Sequence, residues 1–242
     1  MLKEGDEYGN IWYYNNTRSI YCNCILYNLV FEKEDTMIEL LPHQLVCLRE
    51  AEEALSKGKT HLLIHAGFGL GKTYISLSIL ESILINSEKD NISVLILCAP
   101  TKVDDWVNAY CKYFDTDKLN ENDTVMSIDT IWRRPPKKYD VVIIDESQFF
   151  KVKPSLKMKS NRAEFIHKHY WNNEYLIMLS GTPFYKWEDS YGQYCMLDSK
   201  CNGVLSRKEF AAEYLIIGQN TWLQPRPFLE IQGCKNTDKL EK

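Results

Sequence analysis

Short apolar and aromatic runs, separated by asparagine-rich turns, fill residues 8–34 near the start of the chain. Aromatic and β-branched residues favour strands, and asparagine favours the turns between them. These residues predict a small N-terminal antiparallel β element of two or three short strands. Trp12, Tyr13 and Tyr14 could stack on nucleic-acid bases, but such side chains more often form the core of a small sheet, and we favour the core.

The pattern changes to helical spacing in "IELLPHQLVCLREAEEALSKGKT", which begins at residue 38. Apolar residues separated by three or four positions predict a helix with one buried face. The Lys-Gly pair at 57–58 predicts its end, because glycine readily adopts the backbone conformation that terminates helices. The apolar face consists of Leu45, Leu48, Ala51 and Leu55.

Short continuous apolar runs then alternate with helix-like segments along the rest of the chain. Such runs are typical of strands buried on both faces of a parallel sheet. Alternation with helices predicts crossover units and an α/β fold with a mainly parallel sheet, whose ligands lie at the carboxyl ends of the strands. The predicted strands are 61–66, 92–100, 123–129, 139–146 and 174–183, and the predicted helices are 71–86, 103–113 and 160–171.

Composition indicates one main globular domain, since the chain has 242 residues of which 45% are hydrophobic and 26% charged. Its net charge of -4 gives no overall attraction for nucleic acid, so any such contact must come from a local patch. No apolar run reaches the roughly 18 to 20 residues that span a bilayer, which argues against a membrane role.

Eight cysteines are scattered along the chain, several of them inside apolar runs, and the N-terminus lacks a signal-peptide pattern. We therefore expect reduced thiols in a cytoplasmic protein. Cys22 and Cys24 could bind a metal, but no second ligand pair has zinc spacing. Their alternation also fits one face of a strand, which is the interpretation we favour.

A glycine-rich loop, "AGFGLGKT", follows the first predicted parallel strand and precedes a helix. Backbone N–H groups of such a loop can surround an anion, and the positive end of the helix dipole adds to the attraction. Lys72 would reach the β and γ phosphates of a nucleotide, and the Thr73 hydroxyl would bind Mg²⁺. The loop itself comprises Ala66, Gly67, Phe68, Gly69, Leu70 and Gly71.

Two carboxylates, Asp145 and Glu146, end the apolar run "VVII". Carboxylates at the end of a buried strand are costly unless a cation lies beside them, and Mg²⁺ bound to ATP would be that cation. Asp145 would orient the metal, and Glu146 would polarise the water that attacks the γ phosphate. An acidic surface loop is the alternative, but it fits poorly after four buried β-branched residues.

The segment "LSGTP" follows the last predicted strand of the sheet. Its small hydroxyl residues, Ser180 and Thr182, would lie near the γ phosphate and signal its presence to neighbouring segments. Taken alone, the segment indicates only a turn.

Together, "AGFGLGKT", "DESQ" and "LSGTP" resemble motifs I, II and III of superfamily 2 helicases and translocases, most closely the Swi/Snf-like branch with its phage and bacterial relatives. The resemblance covers about residues 39–242. It implies a three-layer RecA-like P-loop NTPase fold, ATP and Mg²⁺ as cofactors, and the cytoplasm of a bacterium or phage-infected host. "LLPHQ" is similar to the adenine-reading Q motif, with Gln44 as the reader.

This sequence departs from the family pattern in two places. Gln148 stands where the family commonly has His or Asp in motif II, and we expect it to preserve the connection to motif III. The family also completes its ATPase site with arginines from a second RecA-like domain, which we expect in cis or in trans. Because such an arginine contributes about 10³ to 10⁵ in rate, we expect this chain to hydrolyse ATP slowly.

The resemblance also implies sequence-independent contacts with DNA phosphates. "LCAPTKVDDWVNAY" is similar to motif Ia, in which Pro100 and Trp106 introduce the DNA-tracking surface. The cationic run "WRRPPKK" is either a DNA contact or a solvated loop, and the sequence leaves both open. Further candidates follow motif II, where the resemblance favours DNA contact. The candidate residues are Pro100, Thr101, Lys102, Arg133, Arg134, Lys151 and Lys153.

Two classes of function follow from these motifs. One is the ATP-binding domain of a DNA helicase or translocase, which we favour. The other is a P-loop ATPase, or a nucleotide-binding regulatory module, without motor activity on DNA. We divide the chain into the N-terminal β element at 1–38, a RecA-like domain at 39–220, and a tail at 221–242 that leads towards a second RecA-like domain.

Overall fold

The computed structural model describes residues 10–12, 38–150, 161–170, 173–182, 197, 207–220 and 228–236. Within these ranges, helices separate successive strands from residue 42 to residue 180, except between residues 127 and 141, where the connection contains the 3-10 turn Ile131–Arg133. The helices are α1 (Pro42–Ser56), α2 (Lys72–Asn86), α3 (Val103–Tyr113), α4 (Asn161–Tyr170) and α5 (Arg207–Tyr214). The strands are β1 (Asn10–Trp12), β2 (His61–His65), β3 (Val94–Cys98), β4 (Thr124–Ser127), β5 (Val141–Ile144), β6 (Tyr175–Ser180), β7 (Leu215–Asn220) and β8 (Phe228–Cys234).

The first six strands form one sheet in the order β1-β2-β6-β5-β3-β4. Strands β2 to β6 are parallel to one another, whereas β1 pairs antiparallel with β2 and places Asn10 opposite His65. The predicted α/β fold with a mainly parallel sheet is therefore confirmed. The one described strand of the N-terminal region, β1, pairs with the main sheet at its edge, where we expected pairing within a small element of its own. The rest of the predicted N-terminal β element, including Cys22 and Cys24, lies outside the described residues.

Helices cover both faces of the sheet. Successive residues of a strand point to opposite faces, so each strand contributes side chains to two cores. On one face, Leu62 and Ile64 of β2 belong to a core formed with α1, α2 and α3. On the other face, Leu63 belongs to a core that includes Ile166 of α4 and the short 3-10 turn Ile131–Arg133. The result is the three-layer arrangement that the resemblance implies.

Helix α1 ends as its sequence predicts. Gly58 has a left-handed φ of 76°, and the backbone N–H groups of Gly58 and Lys59 donate to the carbonyls of Leu55 and Ala54. This pattern satisfies carbonyl groups that the end of a helix leaves without intrahelical partners. The chain then turns directly into β2, which leads to the glycine-rich loop.

A two-stranded antiparallel hairpin, β7-β8, follows α5. In α5, Phe210 is buried and its ring centre lies 5.0 Å from that of Tyr214. The sequence patterns did not predict this hairpin. It extends across position 220, where we placed the end of the RecA-like domain, and that boundary stays a prediction.

Among the described residues, no helix is long and apolar enough to cross a membrane. The cysteines that the structure describes as free are Cys47, Cys98 and Cys111.

Candidate nucleotide-binding site

The glycine-rich loop connects the end of β2 to the first turn of α2. Gly69 and Gly71 have φ values of 76° and 72°, a left-handed conformation that only glycine adopts at little cost. Gly71 is also the N-cap of α2. A Cβ atom on Gly71 would lie 2.1 Å from Nε2 of Gln44, so the end of that side chain would have to move, and the left-handed backbone already favours glycine there.

Lys72 folds back over this loop. Its Nζ atom donates to the carbonyl oxygens of Ala66 at 3.1 Å and Gly67 at 3.2 Å. The ammonium group also lies 5.5 Å from the centre of the Phe68 ring, whose side chain is 91% exposed. Lys72 is therefore a half-buried cation with neutral partners at the start of a helix. A phosphate group would be a stronger acceptor than either carbonyl.

The start of α1 contacts the same loop through the side chains of His43 and Gln44. Both donate to the carbonyl oxygen of Leu70, from Nε2 of His43 at 3.1 Å and Nε2 of Gln44 at 3.2 Å. The Oε1 atom of Gln44 accepts the backbone N–H of Leu41 at 2.9 Å. Gln44 thus ties the first turn of α1 to the loop, and its contact with adenine stays a prediction.

Asp145 lies immediately after β5, and each of its carboxylate oxygens accepts a hydrogen bond. Oδ2 accepts from the indole Nε1 of Trp106 at 3.0 Å, and Oδ1 accepts from the backbone N–H of Glu146 at 3.0 Å. Burial raises the pKa of Asp145, although the Trp106 hydrogen bond and the positive charge of Lys72 oppose that effect. A cation beside this carboxylate would favour its ionised form.

Glu146 has a left-handed φ of 51°, which is unfavourable for a residue with a side chain. Such conformations persist only where the surrounding structure holds them, and they occur often at functional sites. Here the hydrogen bond from the Glu146 N–H to Asp145 contributes to holding the backbone. The turn directs the two adjacent carboxylates to different partners, since Glu146 interacts with Gln148.

Gln148 connects Glu146 to the segment that follows β6. Its Nε2 donates to Oε2 of Glu146 at 2.5 Å, and its Oε1 accepts the Ser180 hydroxyl at 2.6 Å. Ser180 Oγ in turn accepts the backbone N–H of Thr182 at 3.0 Å. We call this series of hydrogen bonds, from Glu146 through Gln148 and Ser180 to Thr182, the motif II–III chain. Ser180 is buried and Thr182 is exposed, so the motif II–III chain extends from the interior of the protein to its surface.

One side chain that the sequence analysis did not select also lies in this region. His65, the last residue of β2, has its Nε2 atom 3.0 Å from the carbonyl oxygen of Gly181 and links the loop strand to the segment after β6. Burial lowers the pKa of His65, and the nearby charge of Lys72 lowers it further, which favours a neutral ring at pH 7. Its signal in the sequence is a polar residue ending an otherwise apolar strand.

The site residues fit a bound magnesium–nucleotide complex. Thr73, at the second position of α2, supplies a hydroxyl, and Asp145 supplies a carboxylate. Within the part of the chain that the structure describes, no group of three or more His, Cys, Asp or Glu residues could hold a metal alone. Mg²⁺ in proteins commonly takes one or two carboxylates and completes its shell with phosphate oxygens and water.

The candidate DNA contacts occupy two exposed segments after neighbouring strands. Pro100, Thr101 and Lys102 form a 3-10 turn after β3, and Lys102 pairs with Asp105 at 2.7 Å. Arg133 and Arg134 follow β4, and the Arg133 guanidinium lies 5.0 Å from the centre of the Trp132 ring. Because β3 and β4 are adjacent and parallel, both segments follow carboxyl ends of strands. Lys151 and Lys153 lie outside the described residues.

Trp106 differs from our expectation for motif Ia. It is only 2% exposed and packs in the core beneath α3, so it does not itself form part of an exposed DNA-tracking surface. The spacing of Trp106, Tyr110 and Tyr113 on one helix face was the available signal for this burial.

Comparison with known proteins gives one match to a protein family, "Type III restriction enzyme, res subunit", over residues 37–131. No curated protein matches the chain. Among solved structures, the Sulfolobus solfataricus SWI2/SNF2 ATPase core in complex with dsDNA is similar, with 18% identity and a TM-score of 0.57 over 77% of this chain and 41% of that one. The Sulfolobus solfataricus SWI2/SNF2 ATPase core domain is similar at 18% identity, with a TM-score of 0.58, over 76% of this chain and 39% of that one.

These structural likenesses show the fold, and this chain spans about two fifths of the length of those two structures. The family match covers the glycine-rich loop and the motif Ia segment, which are parts of the predicted ATPase core. The fold and the family match agree with the motif resemblance. The structural likenesses show that the α/β body of this chain has the fold of those ATPase cores.

Proposed function

We propose that this chain is the ATP-binding motor domain of an ATP-dependent DNA helicase or translocase. One observation carries the proposal: the motif II–III chain joins the Asp145–Glu146 turn to the segment after β6, and His65 joins that segment to the strand before the glycine-rich loop. A site connected in this way can sense whether a γ phosphate is present. The similarity to a SWI2/SNF2 core solved with dsDNA supports DNA as the partner.

Nucleotide binding would begin at the loop and at Lys72. The backbone N–H groups of the loop and the start of α2 would receive the phosphates. Lys72 would exchange its hydrogen bonds to the Ala66 and Gly67 carbonyls for bonds to phosphate oxygens, which carry full negative charge. Phe68 would move with the loop, because its ring lies against the same ammonium group.

Thr73 and Asp145 would hold Mg²⁺, which neutralises the phosphate charge and polarises the bond to be broken. Asp145 is already oriented by two hydrogen bonds, so little rearrangement of this carboxylate is needed. Glu146 would then accept a proton from the attacking water and orient it. The hydrogen bond from Gln148 fixes one oxygen of Glu146 and leaves the other for water.

We propose that a second RecA-like domain, in cis or in trans, supplies the arginine that stabilises charge in the transition state. This chain by itself should then turn over ATP about 10³ to 10⁵ times more slowly than a complete site. Turnover is measured at saturating Mg-ATP with and without duplex DNA, and weak stimulation is expected. A rate of about 1 s⁻¹ or more would contradict this expectation if the Lys72→Ala protein, purified identically, is inactive.

Removing the Lys72 ammonium should abolish detectable nucleotide binding. Lys72 is the first residue of α2 and folds its ammonium group over the loop, so Lys72→Ala would leave the phosphates without their main charge partner. Calorimetric titration with Mg-ADP should show a loss of at least about 100-fold in affinity.

The matched control is Lys112→Ala, which removes an exposed lysine from the last turn of α3. That variant should bind Mg-ADP like the original protein. Equal affinity in the Lys72→Ala and Lys112→Ala variants would remove the loop from the proposed site.

Breaking the motif II–III chain should affect turnover more than binding. Gln148→Ala removes the donor to Glu146 and the acceptor for Ser180, so Glu146 loses its orientation while the loop contacts stay intact. We expect kcat to fall about tenfold or more, with the Kd for Mg-ADP changed by less than about twofold.

The Gln148→His variant tests whether the hydrogen bond to Glu146 matters, or whether glutamine itself is required. Histidine can donate to Glu146, and it stands at this position in many members of the resembling family, so it should restore part of the turnover. An unchanged kcat in the Gln148→Ala variant would show that the motif II–III chain plays no part in catalysis.

DNA binding should depend on the cations that follow β4. Arg133 and Arg134 are exposed, and each would neutralise a backbone phosphate. The double variant Arg133→Ala/Arg134→Ala should weaken duplex binding and reduce the slope of log K against log salt by about 1 to 2, measured by fluorescence anisotropy.

The double variant Lys112→Ala/Lys118→Ala removes the same charge from exposed positions that precede β4, whereas the two arginines follow it. It should leave the salt slope close to that of the original protein. Equal losses in the two double variants would indicate a general charge effect without a defined DNA surface.

A further inference from the structure

The buried indole of Trp106 and the carboxylate of Asp145 form a contact between two different parts of the chain. Nε1 of Trp106 donates to Oδ2 of Asp145 at 3.0 Å, across 39 residues of sequence. Trp106 is 2% exposed and belongs to the core formed with α1 and α2. Its ring therefore has little freedom to turn, and the N–H group has a fixed direction.

A buried indole N–H needs an acceptor, and a backbone carbonyl would normally be sufficient. Here the acceptor is instead the carboxylate at the end of β5 that would face the metal. The other oxygen of this carboxylate is held by the N–H of Glu146. With both oxygens held, the plane of the carboxyl group is fixed before any ligand arrives.

We infer that Trp106 is a positioning residue for the metal site, which orients Asp145 through the indole hydrogen bond. The inference rests on the proposed function, since it takes Asp145 as a ligand or orienter of Mg²⁺. Trp106 does not touch the nucleotide or the metal. Its effect should therefore appear only where binding depends on the metal.

The test compares ADP binding by calorimetry with Mg²⁺ and with EDTA. Trp106→Phe keeps an aromatic ring in the core but removes the donor. We expect it to weaken Mg-ADP binding about tenfold, the usual effect of losing one hydrogen bond to a charged group. Metal-free ADP binding should change by less than about twofold, because Lys72 and the loop are untouched.

Tyr110→Phe is the matched control, since Tyr110 lies one turn further along α3 and is equally buried. Its hydroxyl donates to Asp123 at 2.5 Å, away from the site. This variant should show unchanged binding under both conditions. Thermal unfolding of both variants separates a loss of packing from a loss of positioning.

A second substitution keeps the shape of the side chain. Benzothienylalanine, inserted at position 106 alone, has the size of tryptophan with sulfur in place of the N–H group. It should reproduce the Mg²⁺-dependent loss without the packing change of Trp106→Phe. Equal Mg-ADP affinity in this variant and the original protein would overturn the inference.

The two proposals fail differently. If the unsubstituted protein binds ADP with no dependence on Mg²⁺, the assignment of Asp145 to the metal is wrong, and the proposed function fails with it. If the unsubstituted protein shows that dependence and the Trp106 variants keep it in full, only the positioning role is wrong. A loss of affinity that is equal with Mg²⁺ and with EDTA also overturns the positioning role.

Discussion

Parallel pairing of β2, β6 and β5 is the constraint on which the whole site depends. In this pairing His65 lies opposite Ser180, and Ile144 lies opposite Met178. Parallel strands in register end at one edge of the sheet, so the segments that follow them must leave the core side by side. Three segments that are far apart in sequence are thereby brought within hydrogen-bonding distance. The side chains that join them are short or buried, and this spacing would not tolerate a shift in register.

The same pairing explains why much of the fold could be predicted from sequence. Strands that are buried on both faces are apolar along most of their length. Short runs such as "HLLIH" and "VVII", which end at a glycine-rich loop or at carboxylates, are typical of such strands. The role of the glycines at 69 and 71 could also be predicted from the sequence, because a left-handed backbone leaves few alternatives to glycine. Polar residues at the ends of those runs therefore indicated the site.

Other features required three-dimensional information. The spacing of Trp106 indicates a buried helix face, but it does not say that the indole N–H meets a carboxylate. The role of His65 could not be predicted for a similar reason. Its partner is the backbone carbonyl of Gly181, and a backbone group leaves no signal in the sequence. The β7-β8 hairpin was missed because glycines interrupt both strands, at positions 218 and 233, and because β7 continues directly from α5. The hairpin is defined by hydrogen bonds between two strands, which the residue pattern of either strand alone does not indicate.

Helix α3 connects an exposed turn, a candidate DNA contact, to the buried contact between Trp106 and Asp145. It begins directly after the exposed turn Pro100–Lys102 and carries Trp106 one turn later. Each turn of the helix is hydrogen-bonded to the next, which fixes the position of Trp106 relative to that turn. The helix therefore lies between the exposed turn and the carboxylate of Asp145, to which it is joined by the indole hydrogen bond of Trp106. Since Asp145 and Glu146 are adjacent, and Glu146 begins the motif II–III chain, a continuous series of contacts extends from α3 to Ser180.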